Sequence, residues 1–193
     1  MEKKDQAIIL HTRNYGESDR IVTLFLLKEG KRIGMAKGAR ASKKRFGASL
    51  EIGAVVELGY KEGGGKHWLF LNEAALLERN PAWRASWKTI TIASYCLELA
   101  VKMLPEGEAV PQKFSTLKNF LAELKEPVLP TQLFDFEYHW LSLSGWEPDL
   151  KICAMCGKDF AASETQAIYD HYWHHILGKP LLSRKLLNEV LLG

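Results

Sequence analysis

An α+β fold, a five-stranded β-barrel followed by an all-α domain, is predicted by three observations. Short β-branched and apolar runs recur about every ten residues in the first part of the chain. Glycine-bearing turn signals separate them, and beyond Pro81 the apolar period lengthens from two toward 3.6. Residues 1–80 are therefore expected to form the barrel and residues 81–193 the helical domain.

Residues 7–12 read as the first strand. Residues 21–27 are a compact apolar run ended by Lys28-Glu29-Gly30-Lys31, and residues 32–36 follow across a gap short enough for a hairpin. Residues 38–47 break the pattern. Residues 52–60 resume it, with Val56, Leu58 and Tyr60 on alternate positions, and residues 66–71 answer after Gly63, Gly64 and Gly65 at a hairpin tip. Five strands joined by tight turns suit a small closed barrel.

Trp83, Trp87, Ile90, Leu97, Val101 and Leu104 fall on one helical seam, with Ser94 its only polar member, and Pro105 with Gly107 ends that helix. Cys96 within it reads as a small buried hydrophobe. Residues 113–125 form a second helix stopped by Pro127 and Pro130. Thr131 is expected to cap a third carrying Phe134, Tyr138 and Leu141, closed by Gly145. The stripe Phe134, Phe136, Tyr138, Trp140 reads as core. A last helix covers about residues 161–177, with a short one after Ser183.

The chain has 193 residues, 47% hydrophobic and 25% charged, which excludes full-length disorder. No apolar run reaches the roughly 18 residues of a spanning helix, the first six residues are too charged for a signal peptide, and three cysteines make no even disulfide framework. A soluble cytoplasmic protein without membrane contact is expected. The net charge of +3 is uneven: residues 1–80 hold 15 Lys/Arg against 10 Asp/Glu, and residues 81–193 hold 11 against 13. From Lys28 to Arg45 there are eight cations and one acid, Glu29, which points to a polyanionic partner.

The basic loop Ala36-Lys37-Gly38-Ala39-Arg40-Ala41-Ser42-Lys43-Lys44-Arg45-Phe46-Gly47 packs five cations and two glycines between strands. Lys37, Arg40, Lys43, Lys44 and Arg45 supply charge-assisted donors, the glycines let backbone N–H groups approach phosphate, and Phe46 is expected to stack on a base. Lys31 and Arg32 extend the cationic set. In the turn from Arg13 to Arg20, Tyr15 offers a stacking platform and Arg13 a phosphate contact, whereas Glu17 and Asp19 would repel phosphate. A structural turn in which Asp19 pairs with a neighbouring arginine fits that stretch equally well.

No G-x-S-x-G, phosphate loop or H-E-x-x-H is present, so nothing supports an enzyme and no cofactor is expected. Cys153-Ala-Met-Cys156-Gly157 has the form of half a zinc knuckle. His171 and His174, with His175 beside them, lie at a spacing that would complete it, in an aromatic stretch where histidines are also common on a helix surface.

Four stretches together resemble the RecO family of bacterial recombination mediators. They are residues 8–22 with Tyr15-Gly-Glu-Ser-Asp-Arg-Ile-Val, residues 30–46 with Lys37-Gly-Ala-Arg40, residues 141–157 with Gly145-Trp-Glu-Pro-Asp149, and residues 175–187 with Leu177-Gly-Lys-Pro-Leu. The resemblance implies an N-terminal oligonucleotide-binding (OB) barrel and a helical C-terminal domain. It also implies binding of single- and double-stranded DNA, annealing of complementary strands, and work with RecR and single-strand-binding protein to load RecA. Two other functions fit the residues: a shortened module that docks the acidic tail of single-strand-binding protein, and an RNA-binding barrel.

Zinc-binding members of the family usually carry a second cysteine pair after the first, and here only seventeen residues separate Gly157 from His175. By resemblance His171 and His174 belong to the helix leading into the closing segment, so no stable metal site is expected. Protein purified without added metal should contain well under one zinc per chain. One zinc per chain, lost in both Cys153→Ala and His171→Ala, would overturn this expectation.

Overall fold

A computed structural model of the chain describes residues 2–42, 44–63, 68–147, 149, 151–152, 165–179, 181–184, 186–187 and 189. Among them, five strands close a barrel: β1 (Glu2–Tyr15), β2 (Asp19–Leu26), β3 (Gly30–Ala36), β4 (Val55–Glu62) and β5 (Trp68–Glu78). The spatial order is β1-β2-β3-β5-β4, closed by β4 on β1. All pairs are antiparallel except β3 with β5. β1 and β5 run well past their apolar runs, each extension laddered to a neighbour: residues 2–6 and 73–78 to β4, and residues 13–15 to β2. The hairpin tip at Gly64 and Gly65 lies outside the described residues.

Period-two alternation gives each strand an inner and an outer face. Ala7, Ile9, Val22, Leu24, Leu26, Val56, Leu58, Tyr60, Leu69 and Leu71 fill the barrel, together with Phe46 and Leu50 from the connection after β3. The alternate residues Ile8, Leu10, Phe25 and Val55 face outward and join the core of the helical region. Phe25 meets Phe114 edge-on at 5.3 Å between ring centroids.

Four α-helices follow among the described residues: α1 (Trp87–Met103), α2 (Pro111–Glu123), α3 (Pro130–Ser142) and α4 (Thr165–Leu177). Ser86 caps α1 by accepting the Lys88 N–H at 3.1 Å. The expected seam on α1 is mis-phased: Trp87 and Ile90 are exposed, whereas Thr89, Ile92, Ala93, Tyr95, Cys96, Leu99 and Ala100 are buried alongside Leu97. α1 packs against both β1 and α2, so most of its circumference is covered and its small residues turn inward. Cys96 is fully buried.

Thr131 does not cap α3. The cap is Leu129, with Pro130 at the first helical position and the Gln132 side chain accepting the Leu129 N–H at 3.1 Å. In the aromatic stripe Phe136 and Trp140 are core and stack at 5.4 Å, but Tyr138 is exposed.

A buried polar cluster joins α1, α3, α4 and the segment after α4. Glu137, fully buried, accepts through Oε1 from Tyr95 Oη, from Trp173 Nε1 at 2.8 Å and from Arg184 at 2.7 Å. Arg184 also donates to Asp170 and to Tyr95 Oη. Burial pushes the Glu137 carboxyl above its usual range, and Arg184, Tyr95 and Trp173 pull it back.

The start of β3 latches onto the α1–α2 connection. Lys31 N–H donates to the Pro105 carbonyl, its own carbonyl accepts Gly107 N–H at 3.1 Å, and its Nζ donates to the Val101 carbonyl at 2.9 Å. Gly30 has φ +66°, and a Cβ there would lie 1.9 Å from the Glu108 carbonyl oxygen.

Candidate nucleic-acid interface

The basic loop is held by its own residues. Gly38 takes φ +64°, which points its N–H at Asp19 Oδ1, 2.8 Å away. Arg40 N–H donates to the Ser18 carbonyl at 3.0 Å and its guanidinium to the Glu17 carbonyl at 2.6 Å. Arg45 reaches back to the Lys37 carbonyl at 2.7 Å and to Ser42 Oγ at 3.2 Å. Asp19 therefore binds a loop amide rather than an arginine, and its charge is turned into the loop. The Gly38 N–H, and after it the Ser18 hydroxyl, hold the Asp19 carboxyl below its usual range.

A depressed folded-state pKa contributes stability above the unfolded value of 3.8, and this is lost as pH falls through the folded value below it. In Asp19→Asn, Gly38 amide exchange at pH 6 should rise severalfold, since an uncharged amide oxygen is a weaker acceptor than a carboxylate. Unchanged exchange would show that the clamp holds nothing.

Of the expected site residues, Lys37, Arg40, Lys44 and Arg45 are exposed on this loop, and Arg13 and Tyr15 are exposed at the end of β1. Lys43 lies outside the described residues. Three others are not placed for DNA contact. Phe46 is only 2% exposed, because the loop turns it into the barrel as a plug, under the Arg45 guanidinium. Arg32 is paired with Glu29 at 2.8 Å and mostly buried. Lys31 belongs to the latch with α1, and burial lowers its ammonium pKa.

Strand register assembles a surface that the sequence reading lacks. Arg13 pairs with Ile21, Ile21 with Met35 and Met35 with Phe70, and one step along Thr23 pairs with Ile33 and Ile33 with Trp68. Because Leu69 and Leu71 point inward, Trp68 and Phe70 point outward, 39% and 38% exposed. Lys37 Nζ lies 5.3 Å from the Phe70 ring centroid, which joins the aromatic face to the basic loop. Tyr15, two residues beyond Arg13, continues the same outer face. The alternation of Trp68 and Phe70 with two leucines was the available signal. Cations beside exposed rings can hold phosphates while unpaired bases stack.

Cys153 and Cys156 lie outside the described residues. His171 and His174 are exposed on α4, and no group of three or more potential metal ligands occurs among the described residues. No helix among those residues is long and apolar enough to cross a membrane.

Two family models match the chain: Recombination protein O N terminal over residues 1–79 and Recombination protein O C terminal over residues 84–185. DNA repair protein RecO of Syntrophobacter fumaroxidans is 37% identical over 163 residues, covering 83% of this chain and 64% of that protein. The DNA repair protein RecO of Geobacter metallireducens is 39% identical over 166 residues, covering 83% and 65%. That of Pelobacter propionicus is 38% identical over 161 residues, covering 82% and 64%. The chain thus spans slightly less than two thirds of the length of these curated relatives. With both terminal models matched in order, over a closed barrel and the helices that follow it, the chain belongs to the recombination protein O (RecO) family.

Proposed function

We propose that this chain acts in DNA repair and recombination as a non-catalytic mediator that binds single-stranded DNA across the outer face of its barrel. Residues 1–80 form the nucleic-acid-binding unit in this reading, and residues 81–193 the helical unit. The observation that carries it is the row Arg13, Ile21, Met35 and Phe70, with Trp68 alongside and Lys37 over Phe70. Phosphates lie on Lys37, Arg40, Lys43, Lys44 and Arg45, and bases on Trp68, Phe70 and Tyr15. Contact through phosphate leaves base edges free, which suits annealing of complementary strands and tolerance of duplex DNA. Family membership supports the rest: the protein works in the cytoplasm with RecR and single-strand-binding protein, and helps load RecA onto coated single strands.

Anisotropy of a labelled oligothymidine against salt tests this. Neutralising about five phosphates gives a slope of log K on log salt near −3.5. The double variant Lys37→Gln, Lys44→Gln should bring it to about −2.1 and weaken all sequences alike, while Arg45 keeps the loop closed. An unchanged slope and affinity would remove the loop from the site.

A further inference from the structure

Between the barrel rim and α1 lies a cleft of 610 Å³, lined by Thr12, Arg13, Arg20, Ile52, Ile90 and Ser94 among others. Thr12 pairs with Val22 and Asn14 with Arg20, so Thr12 and Arg20 follow the inward parity of their strands at the end of the barrel core. Two buried polar atoms here, Thr12 Oγ1 and Arg20 Nε, have no hydrogen-bond partner. Neither Arg13 nor Arg20 takes part in an ion pair among the described residues. The other charges of the cleft satisfy one another: Glu51 is held by Arg84 at 2.9 Å and, from outside, by Arg79 at 3.1 Å.

A buried donor without an acceptor is costly, and more so when it is charged. A partner with several acceptor oxygens would satisfy the guanidinium and the hydroxyl together, with a second guanidinium at hand. A phosphate does so, and arginine recognises it by charge-assisted hydrogen bonds. Ile52 and Ile90 add apolar wall suited to a base or sugar.

We propose that this cleft binds the phosphate of a nucleotide through Arg20, Thr12 and Arg13, with the attached base or sugar against Ile52 and Ile90. The proposal rests on the nucleic-acid reading above, because Arg13 belongs both to the outer row and to the cleft. A strand crossing the barrel from Phe70 past Ile21 would reach the cleft next. The phosphate has two sources, the backbone of that strand or a free nucleotide.

Calorimetric titration of the full chain with oligothymidine and, separately, with thymidine monophosphate tests the site in Arg20→Gln and in Ser94→Glu. The second variant adds a carboxylate at an exposed wall position without touching the barrel. Both variants should bind oligothymidine about tenfold more weakly, and Arg20→Gln should make the salt slope less negative by about 0.7. Arg20→Gln should also melt close to the parent, since the Arg20 side chain takes part in no ion pair among the described residues. Loss with the oligonucleotide assigns the strand phosphate, and loss with the mononucleotide alone assigns a free nucleotide; either supports the site. Parental binding of both probes by both variants would overturn it. If Trp68→Ala, Phe70→Ala then still binds oligothymidine poorly, the outer-face reading survives alone; if it binds normally, both readings fall.

Discussion

Trp68→Ala, Phe70→Ala is expected to weaken single-stranded oligonucleotide binding at least about 30-fold, with a much smaller change for duplex. Stacking on an aromatic side chain contributes about 1–3 kcal/mol per base, so two platforms give at least about 2 kcal/mol. Duplex bases are already stacked on each other and gain little from these rings. The fold should persist, because Leu69 and Leu71, which fill the barrel, are untouched. Phe70→Tyr keeps a ring at the same register and should bind nearly as the parent. Single-strand affinity within twofold of the parent in the double alanine variant would take the strand away from this face.

Glu137→Ala should be the most destabilising single substitution in the helical region, costing about 3–5 kcal/mol in urea unfolding. It removes a carboxylate that the largely buried Arg184 pairs with, beside Asp170, and strips an acceptor from Tyr95 and Trp173. Because the groups act as a unit, adding Arg184→Met to Glu137→Ala should cost less than the two single changes summed. A loss below about 1 kcal/mol would mean that the cluster contributes little to stability.

The barrel was legible because its inward residues alternate so regularly. Val56, Leu58 and Tyr60 can take that pattern only on a strand with one face in a core. Helix phase was less legible: large apolar residues mark a face only when a helix has a single buried side, and α1 has neighbours on several. Within the site, composition located the loop but not its internal bonding, since whether a cation donates to solvent or to a carbonyl is decided by the turn. Arg45 and Phe46 show this most plainly, one closing the loop and the other plugging the barrel. Trp68 and Phe70 were missed because nothing local distinguishes an outward ring on a bare barrel face from one under a helix. Phe25, outward yet covered by Phe114, is the counter-example in the same molecule.

Ile8, Leu10, Phe25 and Val55 are barrel residues that live in the helical core, and the latch at Gly30 and Lys31 pins the same side. Parting the barrel from α1 would thus open a shared apolar core and break the β3 latch together. In the reading proposed above, a nucleic-acid strand stacked on Phe70 lies beside Met35 of β3, the same β-strand whose start is latched to the α1–α2 connection.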